Sequence, residues 1–315
     1  MIQGVVRGWD GTDRALPPCL SWRLAYGPGV PCDSFLLTCP WEPGGETFER
    51  GTEVVLTYQG AACFRGLVDE VEHRISERGG EMELAGRGMA ARLLDNEALP
   101  AEYQVATTAD ILRDHVEPYG IQVAEAGDLP PVSGFSISSG ESEWSALYQF
   151  ARYYGGVSPR FDREGRLYLT PFPDREALVV DGTVAVARLC WRERRYGVLS
   201  QVLVRDRTTL AVEPVDNAPF QAQGGLRRQV LTMPGRSSYQ AMRYSGTFQI
   251  DRSRAEQREV ELTVPALFFA WPGDLVRLER PGWGCNGLWR VREAVVTAGD
   301  TGGETALVLA DPDLV

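Results

Sequence analysis

The sequence predicts a mainly β protein in which two β-barrel-like domains flank a smaller α+β domain. Three observations predict this. The 315 residues include 34 Gly and 20 Pro, which indicate many turns and hence many short strands. A similar β pattern occurs near both ends of the chain, and helical periodicity is confined to the middle. Hydrophobic content of 43% and charged content of 24% are typical of a folded chain of two or three domains.

The two β patterns share the same landmarks in the same order. The first opens at residues 51–56 and reaches a Gly-Gly-Glu turn at 79–81, whereas the second opens at 273–278 and reaches Gly-Gly-Glu at 302–304. The opening Gly lies 28 residues before that turn in one copy and 29 in the other. Repetition within a chain commonly builds a symmetric object. Two copies in each of three chains would give a ring of six units; the alternative is a general hairpin pattern.

Residues 1–85 are predicted to form the N-terminal β-barrel-like domain. Turn signals at Pro17-Pro18, 27–29 and 43–45 divide short apolar runs. A strand is expected at 32–39. Apolar and polar residues alternate roughly through two further segments, 53–58 and 64–75, and the uneven spacing of Val68, Val71 and Ile75 indicates a β-bulge or twist. Gly79-Gly80 is typical of a hairpin turn.

Residues 86–180 are predicted to form the α/β middle domain. A short helix carries Met89, Leu93 and Leu94, and a second begins at Thr107 with a variant capping box to Asp110. The clearest helix follows residues 138–141. Its apolar face carries Trp144, Leu147, Tyr148 and Ala151, and Gly155-Gly156 is expected to end it. A hairpin is predicted over 159–169 around the turn 162–165.

Residues 181–315 are predicted to form the C-terminal β-barrel-like domain. Strand-like residues occupy 185–204, and Val260, Leu262 and Val264 alternate cleanly before the second β pattern. The intervening stretch near 208–253 is polar, Gly-rich and weakly periodic. It predicts long loops or an irregular insertion.

The charge distribution excludes several functions. All 32 basic residues are Arg, so a Walker A loop, a Schiff base and a Lys general base are absent. The net charge is −6 over residues 1–100, −6 over 101–180 and +1 over 181–315. Neither acidic part suits a nucleic-acid backbone, because affinity there comes from neutralising phosphates. The Arg-rich stretch 192–258 suits either an acidic partner or a solvated loop face.

The cysteines predict neither a metal site nor a disulfide framework. Cys32 and Cys39 are the closest pair, no CxxC occurs, and the chain has two His, which argues against zinc. We therefore expect reduced thiols, no metal and no cofactor. No signal peptide is evident, and the longest uncharged apolar stretch, 262–271, is too short to span a bilayer, so no membrane partner is expected. The six cysteines are Cys19, Cys32, Cys39, Cys63, Cys190 and Cys285.

No catalytic motif occurs, so we predict no catalytic residue and no enzyme activity. His73 and His115 are expected to be ordinary strand and helix residues. A hydrolase-like carboxylate pair stays open, with Asp69/Glu70 and Glu141/Glu143 as the nearest candidates. We expect these pairs to lie on solvated faces and at a helix N-terminus instead.

Aromatic residues cluster in the C-terminal β pattern, where Trp271, Trp283 and Trp289 lie near Phe268 and Phe269. One interpretation is a sugar-stacking platform. The interpretation we favour is a β-domain core together with a subunit interface, because large aromatics dominate the energetics of both.

The order of several segments resembles the baseplate hub proteins of phage tails and phage-like contractile particles. The resemblance is greatest to hubs of defective prophages in Gram-positive bacteria and more distant to the Mu-type hub. It covers nearly the whole chain and depends on the order of the pieces. The segments are 64–69, 86–88, 93–98, 107–112, 118–121, 143–150, 159–165 and 272–276.

The resemblance implies a homotrimer whose six β-domains form a pseudo-sixfold ring between the hexameric tail tube and the trimeric central spike. Implied partners are the tube, spike and baseplate wedge proteins, with DNA or other cargo passing through the lumen without specific binding. An acidic lumen would repel passing DNA. The implied location is the tail baseplate of a virion or phage-like particle assembled in the bacterial host cytoplasm.

Some hubs carry a fused lysozyme or peptidase domain, and none is expected after residues 311–315. The alternatives are a cell-wall-degrading hydrolase and a glycan-binding tail-tip protein. The sequence leaves open whether the parent particle is a phage, a bacteriocin or an injection system, and whether its tail contracts.

Overall fold

The computed structural model describes residues 2–27, 32–49, 51–77, 79–154, 156–233 and 236–313. Two sequence predictions, the turn at 27–29 and the Gly155-Gly156 helix end, fall partly outside these residues.

The first β-module is a single antiparallel sheet. Its strand order is β3-β4-β7-β6-β5-β1-β2. Alternating burial along β1 and β4 shows why these segments are strands, since a period of two places one apolar row on the core. The strands are β1 (Ile2–Gly8), β2 (Asp13–Ala15), β3 (Ser21–Tyr26), β4 (Ser34–Trp41), β5 (Gly51–Tyr58), β6 (Ala61–Ser76) and β7 (Gly79–Gly88).

The middle domain has a separate core. Its third helix, α3, continues as a π-helical turn over Phe150–Tyr154, and a 3-10 turn over Glu117–Tyr119 follows the second helix, α2. Thr107 and Asp110 form the predicted capping box at the start of α2. The elements are α1 (Ala91–Leu94), β8 (Ala101–Ala106), α2 (Thr108–His115), β9 (Val123–Glu125), β10 (Val132–Ile137), α3 (Glu143–Gln149), β11 (Arg160–Phe161) and β12 (Leu167–Tyr168).

The second β-module has the strand order β14-β18-β21-β20-β19-β13, and all pairs except β13 with β19 are antiparallel. The predicted alternation in β18 is confirmed, because Val260, Leu262 and Val264 are all buried. The strands are β13 (Leu178–Val180), β14 (Arg188–Glu193), β18 (Arg258–Val264), β19 (Leu275–Leu278), β20 (Gly287–Gly299) and β21 (Gly302–Ala310).

The stretch near 208–253 is regular structure rather than an irregular insertion. Strands β15 (Gln201–Asp206), β16 (Val212–Asp216) and β17 (Arg228–Met233) form one sheet, and helices α4 (Ala218–Ala222) and α5 (Tyr239–Ala255) accompany it. Helix α5 was not predicted from the sequence, because small residues occupy part of its buried face. A Cβ added at Gly246 would lie 2.5 Å from a Val215 methyl group.

This stretch also corrects the predicted boundary at residue 181. Val202, Val204, Met233 and Met242 are buried in the same core as the middle domain, not in the core of the β-modules. Residues 199–255 therefore return to the middle domain between β14 and β18. The first boundary also moves slightly, because β7 runs on to Gly88.

The mainly β class with a smaller α/β part is confirmed. Within the described residues, however, the strand pairings do not close either module on itself. The edge of β3 instead pairs with β20, so the two modules form one continuous sheet over one hydrophobic core. Closed barrels stay a prediction.

Candidate assembly surface

The junction between the two modules is a strand pair covered by aromatic side chains. Residues Ala294–Ala298 of β20 pair antiparallel with Trp22–Tyr26 of β3. Trp271 meets Tyr26 edge to face, with ring centroids 4.8 Å apart. Phe269 stacks on Trp22 at 6.3 Å and contacts Tyr58 at 4.5 Å. Such aromatic pairs each contribute about 0.5–1.5 kcal/mol beyond area burial, so they stabilise the junction in addition to its strand pairing.

The pairing of β3 with β20 was not predicted, because the two strands lie far apart in the chain. The sequence feature that could have indicated a buried contact here is the run of aromatic residues just before β19. Trp271 lies in the junction, and Trp289 is buried and donates its indole N–H to the Cys285 carbonyl oxygen at 2.8 Å. Trp283 packs partly buried against the core and stacks with the Arg280 guanidinium. These rings therefore face protein, which is poor geometry for a sugar platform.

The two modules are built alike. The order β3-β4-β7-β6-β5 in the first corresponds to β14-β18-β21-β20-β19 in the second, and every one of these neighbouring pairs is antiparallel. Unrelated topologies would have contradicted the duplication. The modules differ outside this set, since β1 pairs antiparallel with β5 whereas β13 pairs parallel with β19.

Even an irregularity is repeated. The predicted bulge in β6 is confirmed between Val68 and Glu70, where the register against β7 shifts. In the second module the same shift against β21 falls between Val291 and Glu293. Both bulges stand at the same distance from their Gly-Gly turn, because Ser76 pairs with Gly79 and Gly299 with Gly302. A shared bulge is a conserved design feature of related sheets rather than a general property of hairpins.

Strand edges of the continuous sheet are unpaired within the described residues. Strand β14 pairs only with β18, and β6 extends beyond Leu67, where its pairing with β5 ends. Each edge exposes a large apolar side chain. Ile75 on β6 is 70% exposed and Trp191 on β14 is 53% exposed. Exposed apolar edges are templates for pairing with another chain.

The buried polar cluster of the middle domain joins its helices. His115 Nδ1 lies 2.5 Å from a Glu143 carboxylate oxygen, and Tyr119 donates its hydroxyl to the other oxygen at 2.8 Å. Tyr103 contacts His115 Nε2 at 3.0 Å and donates to Asp114. His115 and Glu143 are both buried, so a substrate has no access to the pair. The pairing satisfies two buried polar groups, as folding requires.

Of the other candidate residues, Asp69 and Glu70 both line a surface cleft beside the bulge of β6, but the Asp69 carboxylate is already engaged by a guanidinium. Asp69 is bound by Arg87 at 2.7 Å, and Glu141 accepts a hydrogen bond from Gln149 at 2.8 Å. Glu143 starts α3 as expected, but the prediction that it is solvated is wrong. His73 lies in β6 as predicted, with its ring 4.5 Å from that of Trp41.

The thiols and potential metal ligands do not assemble into a metal site in the described part of the chain. The nearest thiols are Cys19 and Cys39, with sulfur atoms 3.6 Å apart, rather than the sequence neighbours Cys32 and Cys39. Burial raises the pKa of the Cys63 thiol to about 12, which makes it a poor nucleophile. Among the described residues, no helix is both long and apolar enough to cross a membrane.

Residues 90–171 match the family of baseplate hub proteins described as gp44-like, second domain. This segment is similar to the second domain of gp44-like baseplate hub proteins. It comprises α1 to β12, and the expected resemblance to phage baseplate hubs is confirmed. No functionally curated protein matches the sequence.

Solved structures share the fold of the whole chain. A tail protein from Neisseria meningitidis MC58 superposes with a TM-score of 0.76 at 17% identity, covering 99% of this chain and 97% of that chain. The 43 kDa tail protein of prophage MuSo2 from Shewanella oneidensis gives 0.77 at 17% identity, covering 100% and 99%.

A third similar structure comes from a secretion system. The Escherichia coli c3393 protein is a type VI secretion component described as similar to the T4 tail proteins gp27 and gp5. It gives a TM-score of 0.59 at 13% identity, covering 92% of this chain and 73% of that chain. These likenesses show that the chain shares the fold of phage tail proteins.

Proposed function

We propose that this chain is the structural hub of a phage or phage-like tail baseplate, and that it works as a homotrimer. Each chain supplies two alike β-modules, so three chains supply six. The observation that carries the proposal is the shared strand order and shared bulge of the two modules. Near-equivalent units related within a chain let a threefold assembly present six similar surfaces.

The proposed role is to join a hexameric tail tube to a trimeric central spike. The β-modules form the six-unit ring that meets the tube, and the middle domains, one per chain, keep the threefold symmetry of the spike. Baseplate wedge proteins bind the periphery. The gp44-like hub domain and the tail-protein fold support this role.

Cargo is proposed to pass through the ring without specific binding. The first two predicted segments are acidic, although several of their carboxylates are already held by Arg, such as Asp69 by Arg87 and Glu83 by Arg74. The remaining negative charge repels a nucleic-acid backbone. Assembly takes place in the bacterial host, and the hub is then a component of the tail.

Multi-angle light scattering on the purified chain tests the trimer. We expect a mass of three times the 34.8 kDa chain mass across a tenfold dilution. If the protein has the mass of one chain at every concentration in the series, the proposal is wrong.

A further inference from the structure

We propose that the free edge of β14 in one subunit pairs antiparallel with residues 71–75 of β6 in the next subunit. The partner is a second copy of this chain. This inference depends on the proposed trimer and extends it by naming the strands that close the ring.

The template is the junction already present inside the chain. There, five consecutive residues of β20 pair antiparallel with β3, from Ala294 opposite Tyr26 to Ala298 opposite Trp22. Each module thus contributes one kind of edge to this junction. The second module uses β20, and the first module uses β3. The complementary edges, the β6 extension of the first module and β14 of the second, are unpaired within the described residues.

The two unpaired strands, β6 and β14, align residue by residue with the two strands of the internal junction, β20 and β3. Strand β6 aligns with β20 through the shared bulge and turn, so Val71 corresponds to Ala294 and Ile75 to Ala298. Strand β14 aligns with β3 through their equivalent pairing with β18 and β4, which sets Leu189 against Trp22.

The backbone hydrogen bonds confirm this alignment. The Leu20 N–H donates to the Thr38 carbonyl oxygen at 2.8 Å, and the equivalent Ala187 N–H donates to the Thr263 carbonyl oxygen at 2.8 Å. Because alternate backbone groups of a strand point to opposite sides, the groups that β14 leaves free are those that β3 uses to bind β20.

The alignment fixes the register of the intersubunit ladder. Five opposed residue pairs are obtained when the register of β20 with β3 is applied to the equivalent residues of β6 and β14. They are Val71–Glu193, Glu72–Arg192, His73–Trp191, Arg74–Cys190 and Ile75–Leu189.

The side chains on these edges suit burial by a neighbour. In the internal junction Leu24 and Val296 oppose one another and are both fully buried. Their counterparts, Trp191 and His73, lie on the same face of the sheet, yet Trp191 is largely exposed and Ile75 beside it even more so. Pairing of the edges covers this apolar surface, which a single chain leaves in water.

The register also sets opposite charges against each other, because Glu72 opposes Arg192 and cross-strand pairs of opposite charge are favourable. Within its own chain Glu72 binds Arg74, and Arg192 binds Glu259 and Glu261, so the intersubunit pair would join two existing ion-pair networks. Glu193 departs from the template, because its counterpart Tyr26 is buried whereas Glu193 is exposed. It lies at the end of the ladder, where a charged side chain still reaches solvent.

Each chain carries one β6 edge and one β14 edge, so the contact is head to tail. A head-to-tail contact closes into a ring when its rotation repeats evenly. Three chains then give three junctions within chains and three between chains, all built alike.

A single substitution tests the register, because the residue opposite Arg74 is the natural Cys190. Mild oxidation of Arg74→Cys is expected to link subunits covalently, since opposed cross-strand Cβ atoms lie within reach of a disulfide. Non-reducing denaturing gels are expected to show dimers and trimers and no larger species. Ile75→Cys, whose side chain lies on the other face of the sheet, is the matched control and should stay uncrosslinked.

The double variant Arg74→Cys with Cys190→Ser should also stay uncrosslinked, which excludes the other cysteines. Light scattering under reducing conditions accompanies each gel. A trimer in which Arg74→Cys gives no more crosslinking than the wild type overturns the strand pairing and leaves the trimer intact. A monomeric wild type overturns both. If Arg74→Cys itself loosens the trimer, the pair Ile75→Cys with Leu189→Cys tests the neighbouring step of the ladder, with the same two outcomes.

Discussion

At the scale of single residues, the buried carboxylate of Asp206 links two segments of the middle domain. Asp206 is buried at the end of β15 and accepts hydrogen bonds from the backbone N–H groups of Thr208, Thr209 and Ser237 at 2.6–2.7 Å. Burial alone raises the pKa of Asp206, but these hydrogen bonds outweigh it and hold the pKa below its ordinary value. Asp206 thereby ties the strand to the segment that leads into α5.

Asp206→Ala is expected to lower the free energy of unfolding by about 2–4 kcal/mol at pH 7, because three backbone donors lose their acceptor. Chemical denaturation measures this. Since the native pKa is lowered, the stabilisation is present at neutral pH and is lost as pH falls through that pKa, so the difference from wild type should shrink in acid. The exposed Asp300→Ala is the matched control, and an equal loss there would contradict the account.

Asp33 shows the opposite effect. Burial raises its pKa to about 7, and the Gly27 N–H donates to its carboxylate over 3.4 Å. A native pKa above the unfolded value gives stability that is present in acid and lost as pH rises through about 7. Asp33→Asn is therefore expected to stabilise the protein by about 1–3 kcal/mol at pH 8 and to change little at pH 4. Thermal unfolding at both pH values checks this, and an equal effect at both would contradict it.

Local residue signals were predictable from sequence, whereas their distant partners were not. The Thr107–Asp110 capping box is formed by neighbours in the chain, so the sequence alone revealed it. Glu143 at the start of a helix predicts a solvated side chain. Its burial depends on His115 and Tyr119, which belong to other elements and are brought together only by the fold.

At the scale of elements, the proposed assembly depends on the free sheet edges. Ile75 lies on the free edge of β6 and makes little contact within its own chain, being 70% exposed. Ile75→Asp is therefore expected to leave the folded subunit intact and to convert trimers to monomers, because a charge would be buried without a partner. Light scattering and circular dichroism measure the two effects.

Leu226→Asp provides the comparison, because Leu226 is 93% exposed and belongs to neither edge strand. It should leave the trimer mass unchanged. Dissociation by both variants, or by neither, would show that the β6 edge has no special part in assembly.

Most strands and helices of the β-modules and the middle domain could be predicted, and the stretch 208–253 could not. Strand β18 shows a clean period of two with large apolar residues. The buried face of helix α5 carries Met242 and Ile250, but its other buried positions are small or polar, so it shows only a weak apolar pattern in the sequence. At Gly246 the helix packs closely against β16 without a side chain of its own in the contact.

At the scale of the whole molecule, duplication explains the architecture. Two modules with the same strand order and bulge lie side by side in one sheet, so the chain already contains one junction of the proposed ring. The sequence revealed the repeat but not the junction, because repeated landmarks show likeness and carry no information on contact. The middle domain is built from residues on both sides of β14 and occurs once per chain, so in the proposed trimer it follows threefold rather than sixfold symmetry.

The central claim is that three two-module chains close into a ring of six alike units. Cryo-electron microscopy of the purified protein tests it most directly. The account predicts class averages with six near-equivalent lobes around a hole at one level and three lobes at the other. Particles with an open arc, a different number of modules, or unpaired modules held together only by their middle domains would contradict it.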